Sequence, residues 1–288
     1  YTDTATHAAW KANLYKIEEE QLTAFTEVSK EAAKLDAYYG YPLAIGDTSI
    51  AFYDSNVFSA QEAAGSLQSI LAKAKNAGKK VYFDMMNGWI GASAIWMGGG
   101  SFSLDNDSQA AMDFAEEGPT RQGVESVIAV LKNLLSQYST TLMLSSSQDD
   151  IYQGFATGNI AYAITTGNLS INNVSPSVLP KLDCDGVEHE MEAFYNSKML
   201  SVTKKAERNE IALQDSMAFA QFLAERTDDL FVPFAPYNYC SSIIQSFESC
   251  ENKNNTIERT IYEMTVNNRL HPMQVPSNYW DTFALFWH

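Results

Sequence analysis

The chain has 288 residues, 45% of them hydrophobic and 12% aromatic, which is ample for a buried core in one or two domains and excludes a disordered chain. Its formal net charge of −16 lacks the basic balance that nucleic-acid binding needs. No apolar run approaches the ~20 residues that span a bilayer.

In chain order, residues 5–39 read as helical, rich in Ala, Glu, Lys and Gln, with Glu18, Glu19 and Glu20 on a solvated face. Pro42 ends any helix, and Ser49–Tyr53 has strand composition. Ser59 and Glu62 form a capping box for a helix whose apolar face is Ala63, Leu67, Ile70, Leu71 and Ala74, stopped by Gly78. Lys80–Met86 reads as a strand ended by Asn87-Gly88-Trp89. Arg121–Tyr138 is the clearest amphipathic helix, with Val124, Val127, Ile128, Leu131, Leu134 and Leu135 on one side. Ser147, capped against Asp150, opens a helix to Thr157. Gly158 closes it, and Ile160–Ile164 follows as a strand leading into the polar loop Thr165–Asn168. Ala193–Thr203 is strand-like. Ala206–Arg226 is a helix expected to turn Ile211, Ala218, Phe219 and Phe222 toward the core. Residues 227–256 read as irregular, Ile257–Asn267 as a short helix, and His271–Trp280 as a proline-marked extended run. Strands alternating with helices argue an α/β fold.

Enzyme signatures are missing. There is no P-loop and no G-x-G-x-x-G, and Gly91-Ala-Ser93-Ala-Ile95 fails the G-x-S-x-G pattern at its last position. His7, His189, His271 and His288 lack zinc spacing, and Asp183-Cys184-Asp185-Gly186 suits a plain turn better than a calcium loop. No metal or cofactor is expected. Cys240 and Cys250 are near enough in sequence to close a small loop with Cys184 left over; bridged and unbridged thiols remain open alternatives.

Gly154-Phe-Ala-Thr-Gly-Asn-Ile-Ala-Tyr-Ala-Ile-Thr-Thr-Gly-Asn168 resembles the F-x-x-G-x-x-A-M-x-x-x-G segment of the family 1 extracellular solute-binding proteins of ABC importers, to which the maltose-binding protein belongs. Further segments arrive in that family's order. Tyr41-Pro42 through Tyr53-Asp54 is similar to its Y-P…Y-N run, and the helix after Ser59 stands where the family has W-x-E-L, without the Trp. The strand, turn, helix and glycine turn from Lys80 to Gly100 match without gaps. Met199–Thr203 and His271–Trp280 resemble the later lobe crossings. The resemblance implies a two-lobe, type II periplasmic-binding-protein-like fold. Residues 1–52 and 195–272 would form the first lobe, and residues 53–194 and 273–288 the second. No family-type strands are read before Tyr41, so the first lobe is expected to be incomplete, and Tyr1-Thr-Asp-Thr reads as the inside of a longer protein without its signal segment.

The function implied is binding of a mono- or oligosaccharide by hinge closure, without catalysis, for delivery to ABC importer membrane subunits. Such a protein would be monomeric and either a cell-surface lipoprotein or periplasmic. The alternatives are a carbohydrate-active enzyme and a binding fold reused as a protein-interaction module. Sugars are held by aromatic faces with amide, carboxylate and hydroxyl groups. The resemblance carries Asn87 and Trp89 over as sugar contacts, and with the polar and aromatic residues at the corresponding strand ends the expected contacts are Asp47, Asn87, Trp89, Asn168, Asn196, Tyr279 and Trp280. Each has a structural alternative: burial in the core for the aromatics, and turn capping for Asp and Asn.

Overall fold

The computed structural model describes residues 11–34, 36–104, 110–144, 147–166, 169–230, 239–254, 256–276 and 278–288. The helix expected over 5–39 is interrupted. Only a 3-10 turn, Glu19–Leu22, and the helix Glu27–Ala33 form between Leu14 and Ala33. Glu18 and Gln21 cap the first, and the Thr26 hydroxyl accepts the Ser29 N–H to restart the second. Such short-range side-chain bonds compete with a continuous helix. Leu14, Ile17 and Phe25 instead make single bridges to Thr203, Tyr38 and Ile243.

Two sheets carry the fold. β1 (Tyr41–Gly46) is followed by β2 (Ile50–Asp54), and the capping box at Ser59 opens Ala60–Ala63 as expected. Ser66 then accepts the Ser69 N–H and starts a separate helix, Leu67–Asn76, so the single helix expected here is two. β3 (Lys80–Phe83) stops earlier than the sequence suggested, because Asp84 already begins a turn. Next come β4 (Phe102–Leu104), β5 (Ala110–Met112), the helix Pro119–Gln137 and β6 (Leu142–Met143). The helix Gln148–Ala156 has its Ser147–Asp150 capping box, and Gly158 closes it at φ +72°. β7 (Ile160–Thr165) and β8 (Val174–Ser177) complete one sheet in the order β6-β3-β7-β2-β8. β2 and β7 are buried throughout, as strands covered on both faces must be.

β9 (Lys181–Cys184) and β10 (Val187–Glu190) form a hairpin. Asp185 and Gly186, at φ +55° and +86°, make the turn, and the Gly186 N–H donates to the Asp183 carboxylate at 2.7 Å. β11 (Ala193–Leu200), β12 (Tyr239–Ser241) and β13 (Leu270–Pro272) build the other sheet with β1, in the order β12-β1-β11-β13. The chain thus passes between sheets twice, at Asp47–Ser49 and between β8 and β11, and after β13 runs into the helix Tyr279–Leu285.

Two further expectations are corrected. The helix Glu210–Glu225 forms, but Ile211, Phe219 and Phe222 are 66%, 62% and 49% exposed and Ala218 is exposed too. Its inner stripe is Leu213, Met217, Ala220 and Ala224, packed with Tyr41 and Leu43 of β1. The helix is apolar on several sides, so periodicity did not single out the inner one. The segment 227–256, read as irregular, holds the helices Thr227–Leu230 and Ile244–Ser249 and the strand β12; residues 231–238 lie outside the described residues.

Candidate functional site

The turn after β3 is built on Asp84. Burial pushes its carboxyl above the ordinary range, although N–H groups of Met86 and Asn87 pull the other way. Asn87 is exposed, and its Oδ1 accepts the Trp89 N–H at 2.9 Å, an Asx-type bond that shapes the turn. Trp89 is half-buried with its ring 5.7 Å from that of Phe194, and its Nε1–H is buried with no hydrogen-bond partner among the described residues. A Cβ on Gly88 would stand 3.0 Å from the Trp280 ring, so Gly88 lets that half-buried indole lie on the turn. Tyr279 is fully buried, and its hydroxyl donates to the Gly88 carbonyl. It holds the turn from beneath while Trp280 covers it.

A second group lies at the first crossing. Asp47 adopts φ +51°, a left-handed conformation that Asp tolerates. Lys198 Nζ sits 2.7 Å from its Oδ2, and the Tyr239 hydroxyl donates to Oδ1 at 2.7 Å. Lys198 also lies 5.4 Å above the Tyr239 ring. Burial would lower the Lys198 pKa, but Asp47 and Tyr239 outweigh it and raise it; burial and Asp47 together raise that of Tyr239. Asn196 is half-buried on β11, opposite Gly46 of β1. Beside Asp47, Thr48 and Ser49 are 0% and 1% exposed, and their hydroxyls have no hydrogen-bond partner among the described residues.

β11 joins the groups: Phe194 meets Trp89, and Asn196, two residues on, lies next to the Asp47 crossing. Of the expected residues, the structure gathers Asn87, Trp89, Tyr279 and Trp280 at one turn and Asp47 and Asn196 at the other. Asn168 lies outside the described residues. Three surface cavities of 410, 680 and 290 Å3 are lined by other residues. Sequence reasoning missed Asp84, Lys198 and Tyr239. Lys198 was findable, two positions after Asn196 and so on the same strand face. Tyr239 was not, being 192 residues from Asp47.

The neighbouring crossings are firmly tied. The Arg269 guanidinium, 6% exposed, donates to the carbonyls of Leu179 and Met191 at 2.7 Å, which flank the β9–β10 hairpin. His271 stacks on Trp96 at 4.3 Å and bonds the Glu192 carboxylate. No group of three His, Cys, Asp or Glu suited to a metal ion occurs among the described residues. Half-exposed indoles beside oriented amide and carboxylate groups form a surface that can hold an uncharged, hydroxyl-bearing molecule.

A profile describing bacterial extracellular solute-binding proteins matches residues 1–228. Comparison with curated proteins finds no match. Among solved structures, the chain is similar to the maltodextrin-binding protein MalE1 from L. casei BL23 without ligand, with a TM-score of 0.71 and 14% identity over 97% of this chain and 74% of that one. It is similar to a cyclo/maltodextrin-binding protein complexed with maltotetraose, with a TM-score of 0.70 and 17% identity over 97% of this chain and 74% of that one. It is similar also to the maltose-maltodextrin binding protein of Alicyclobacillus acidocaldarius, with a TM-score of 0.69 and 15% identity over 96% of this chain and 74% of that one. At these identities the similarity establishes the two-lobe α/β fold expected from the sequence. With that fold, and with the profile covering residues 1–228, the chain belongs to the bacterial extracellular solute-binding proteins.

Proposed function

We propose that this protein binds a carbohydrate, a mono- or oligosaccharide, at the junction of its lobes and releases it unchanged. The lobes we infer are residues 1–52 with 195–272 and residues 53–194 with 273–288, with crossings beside the starts of β2 and β11. Rotation about the crossings closes the lobes on the solute, and the closed form is selected because only it offers both walls. The closed complex then docks, as a monomer outside the cell, on the membrane subunits of an ABC importer. A lipid-anchored or periplasmic setting fits this role.

One observation carries the proposal. Trp89 and Trp280 are half-exposed at the Asn87 turn, and β11 links them to the Asp47–Lys198–Tyr239 group. Apolar sugar faces stack on indoles, and the hydroxyl rim exchanges hydrogen bonds with the Asn87 and Asn196 amides and donates to the Asp47 carboxylate. Tyr279 supports this surface through the Gly88 carbonyl. Similarity to proteins named for maltose and maltodextrin supports the choice of a sugar over an amino acid or peptide.

The test is a thermal-shift screen of mono- and oligosaccharides, with amino acids and peptides as controls. A sugar at a hundred times its Kd should raise the melting midpoint by roughly 5 °C or more, because it binds only the folded state. Trp89→Ala should remove most of the shift, and Asp47→Asn should reduce it. A shift with amino acids or peptides and none with any sugar overturns the assignment. Recovery of the sugar chemically altered would move the protein to the enzymes.

A further inference from the structure

We propose that Cys240 and Cys250 form a structural disulfide that staples β12, the strand bearing Tyr239, to the helix behind it. Cys240 is held opposite Ile45 by the pairing of β12 with β1, and it is 1% exposed. Cys250 follows the helix Ile244–Ser249 directly and is 2% exposed. Their Sγ atoms stand 3.5 Å apart with no residue between them. A disulfide bond of about 2 Å needs the two sulfurs to close by only about 1.5 Å. The third cysteine, Cys184, lies on β9 and belongs to neither element. Disulfides form and persist outside the cell and are rare in reducing compartments. This chain belongs to an extracellular family.

The chemistry needs a disulfide oxidant, either a low-molecular-weight disulfide or an oxidoreductase carrying one. One cysteine, as thiolate, attacks the oxidant's S–S bond, forms a mixed disulfide and releases one thiol. The second cysteine then attacks the mixed disulfide and releases the other. Two thiol protons leave, the protein pair is oxidised by two electrons, and the oxidant becomes two thiols. The contact in which the Cys240 S–H faces the Cys250 sulfur, together with burial, holds the Cys240 thiol well above its ordinary range and disfavours its thiolate in the folded state. Once formed, the bridge is shielded from reductants by the burial of both cysteines.

Its consequence reaches the candidate site. Tyr239, next to Cys240, donates to Asp47. A stapled β12 keeps that hydrogen bond in register whatever the solute is, so the proposal stands apart from the sugar assignment.

The experiment refolds the full chain in a glutathione redox buffer, unfolds it in guanidinium with iodoacetamide and no reductant, and weighs it intact. One carbamidomethyl group, on Cys184, with two hydrogens fewer than the reduced protein and a cross-linked 240–250 peptide, is the expected result. Three carbamidomethyl groups, or a bridge that includes Cys184, overturn the proposal. In Cys184→Ser, which leaves the pair intact, reduction should lower the melting midpoint by roughly 5 °C or more, as loss of a bridge closing a short loop does. An unchanged midpoint means that the bridge is not structural.

Discussion

Asp84 and Asp54 show how two aspartates near strand ends titrate in opposite senses. Burial dominates at Asp84 and raises its pKa. Its ionised form is therefore penalised in the folded state. Stability should decline as pH rises from the ordinary Asp value, near 4, through the folded value, with the full penalty present above that. At Asp54, burial also pushes upward, but the Asn56 N–H and Lys79, whose Nζ is 3.1 Å away, outweigh it and the pKa falls. Its contribution is present above the ordinary value and is lost as pH falls through the depressed folded value. Urea denaturation across pH 2 to 8 checks both: Asp84→Asn should remove the decline on the rising side, and Asp54→Asn should weaken the acid-side loss. Both aspartates were visible in the sequence. Their directions were not, because the sign depends on which donors and how much protein surround each carboxylate.

At the scale of elements, the helix Glu210–Glu225 separates propensity from placement. Its existence follows from composition and from Asn209, whose side chain accepts the Ile211 N–H at 2.9 Å. Its orientation follows from β1, which accepts Leu213, Met217, Ala220 and Ala224 and leaves Phe219 outside. Phe219→Ser should change stability by less than about 0.5 kcal/mol, as exposed substitutions do. Ala224→Leu, by contrast, forces a larger side chain into a fully buried position and should cost about 2 kcal/mol. Chemical denaturation of both variants checks this; the reverse ranking would mean that the face with Phe219 is the packed one. The capped helix Gln148–Ala156 is the opposite case. Ser147, Asp150 and Gly158 settle its ends locally, and the structure reproduces them within a residue.

For the whole molecule, the sheets meet through one continuous core that takes Ile45, Phe194 and Tyr195 from one sheet's strands and Phe52, Tyr162 and Phe83 from the other's. The crossings are therefore packed. Arg269 is central, since it ties Leu179 and Met191 across the base of the β9–β10 hairpin. Arg269→Ala leaves those carbonyls without their donor and should cost about 3 kcal/mol, measured by denaturant unfolding. A cost under ~1 kcal/mol would mean that the clamp is dispensable. Hinge closure on a sugar should also reduce the radius of gyration in small-angle scattering, and Trp89→Ala should abolish that change together with binding. An unchanged radius with saturating sugar would separate binding from closure.

Much of the fold was legible in the chain itself: the α/β alternation, the two capping boxes, the helix Pro119–Gln137 and the strands β3 and β7. These depend on interactions spanning about four residues, or on patterning that repeats along one element, so sequence spacing carries them. Residues 11–34 depart from the expected helix because Thr26 and Ser29 offer the backbone a rival set of hydrogen bonds. The candidate site was legible as residue types at strand ends, and Asn87, Trp89 and Trp280 do meet at one turn. Only the tertiary structure decided that Tyr279 is enclosed beneath that turn, that Asp47 is held by Lys198 and Tyr239 from 151 and 192 residues away, and that Phe219 faces outward. Those outcomes depend on which surfaces compete for burial once the sheets have formed, and no local spacing encodes that competition.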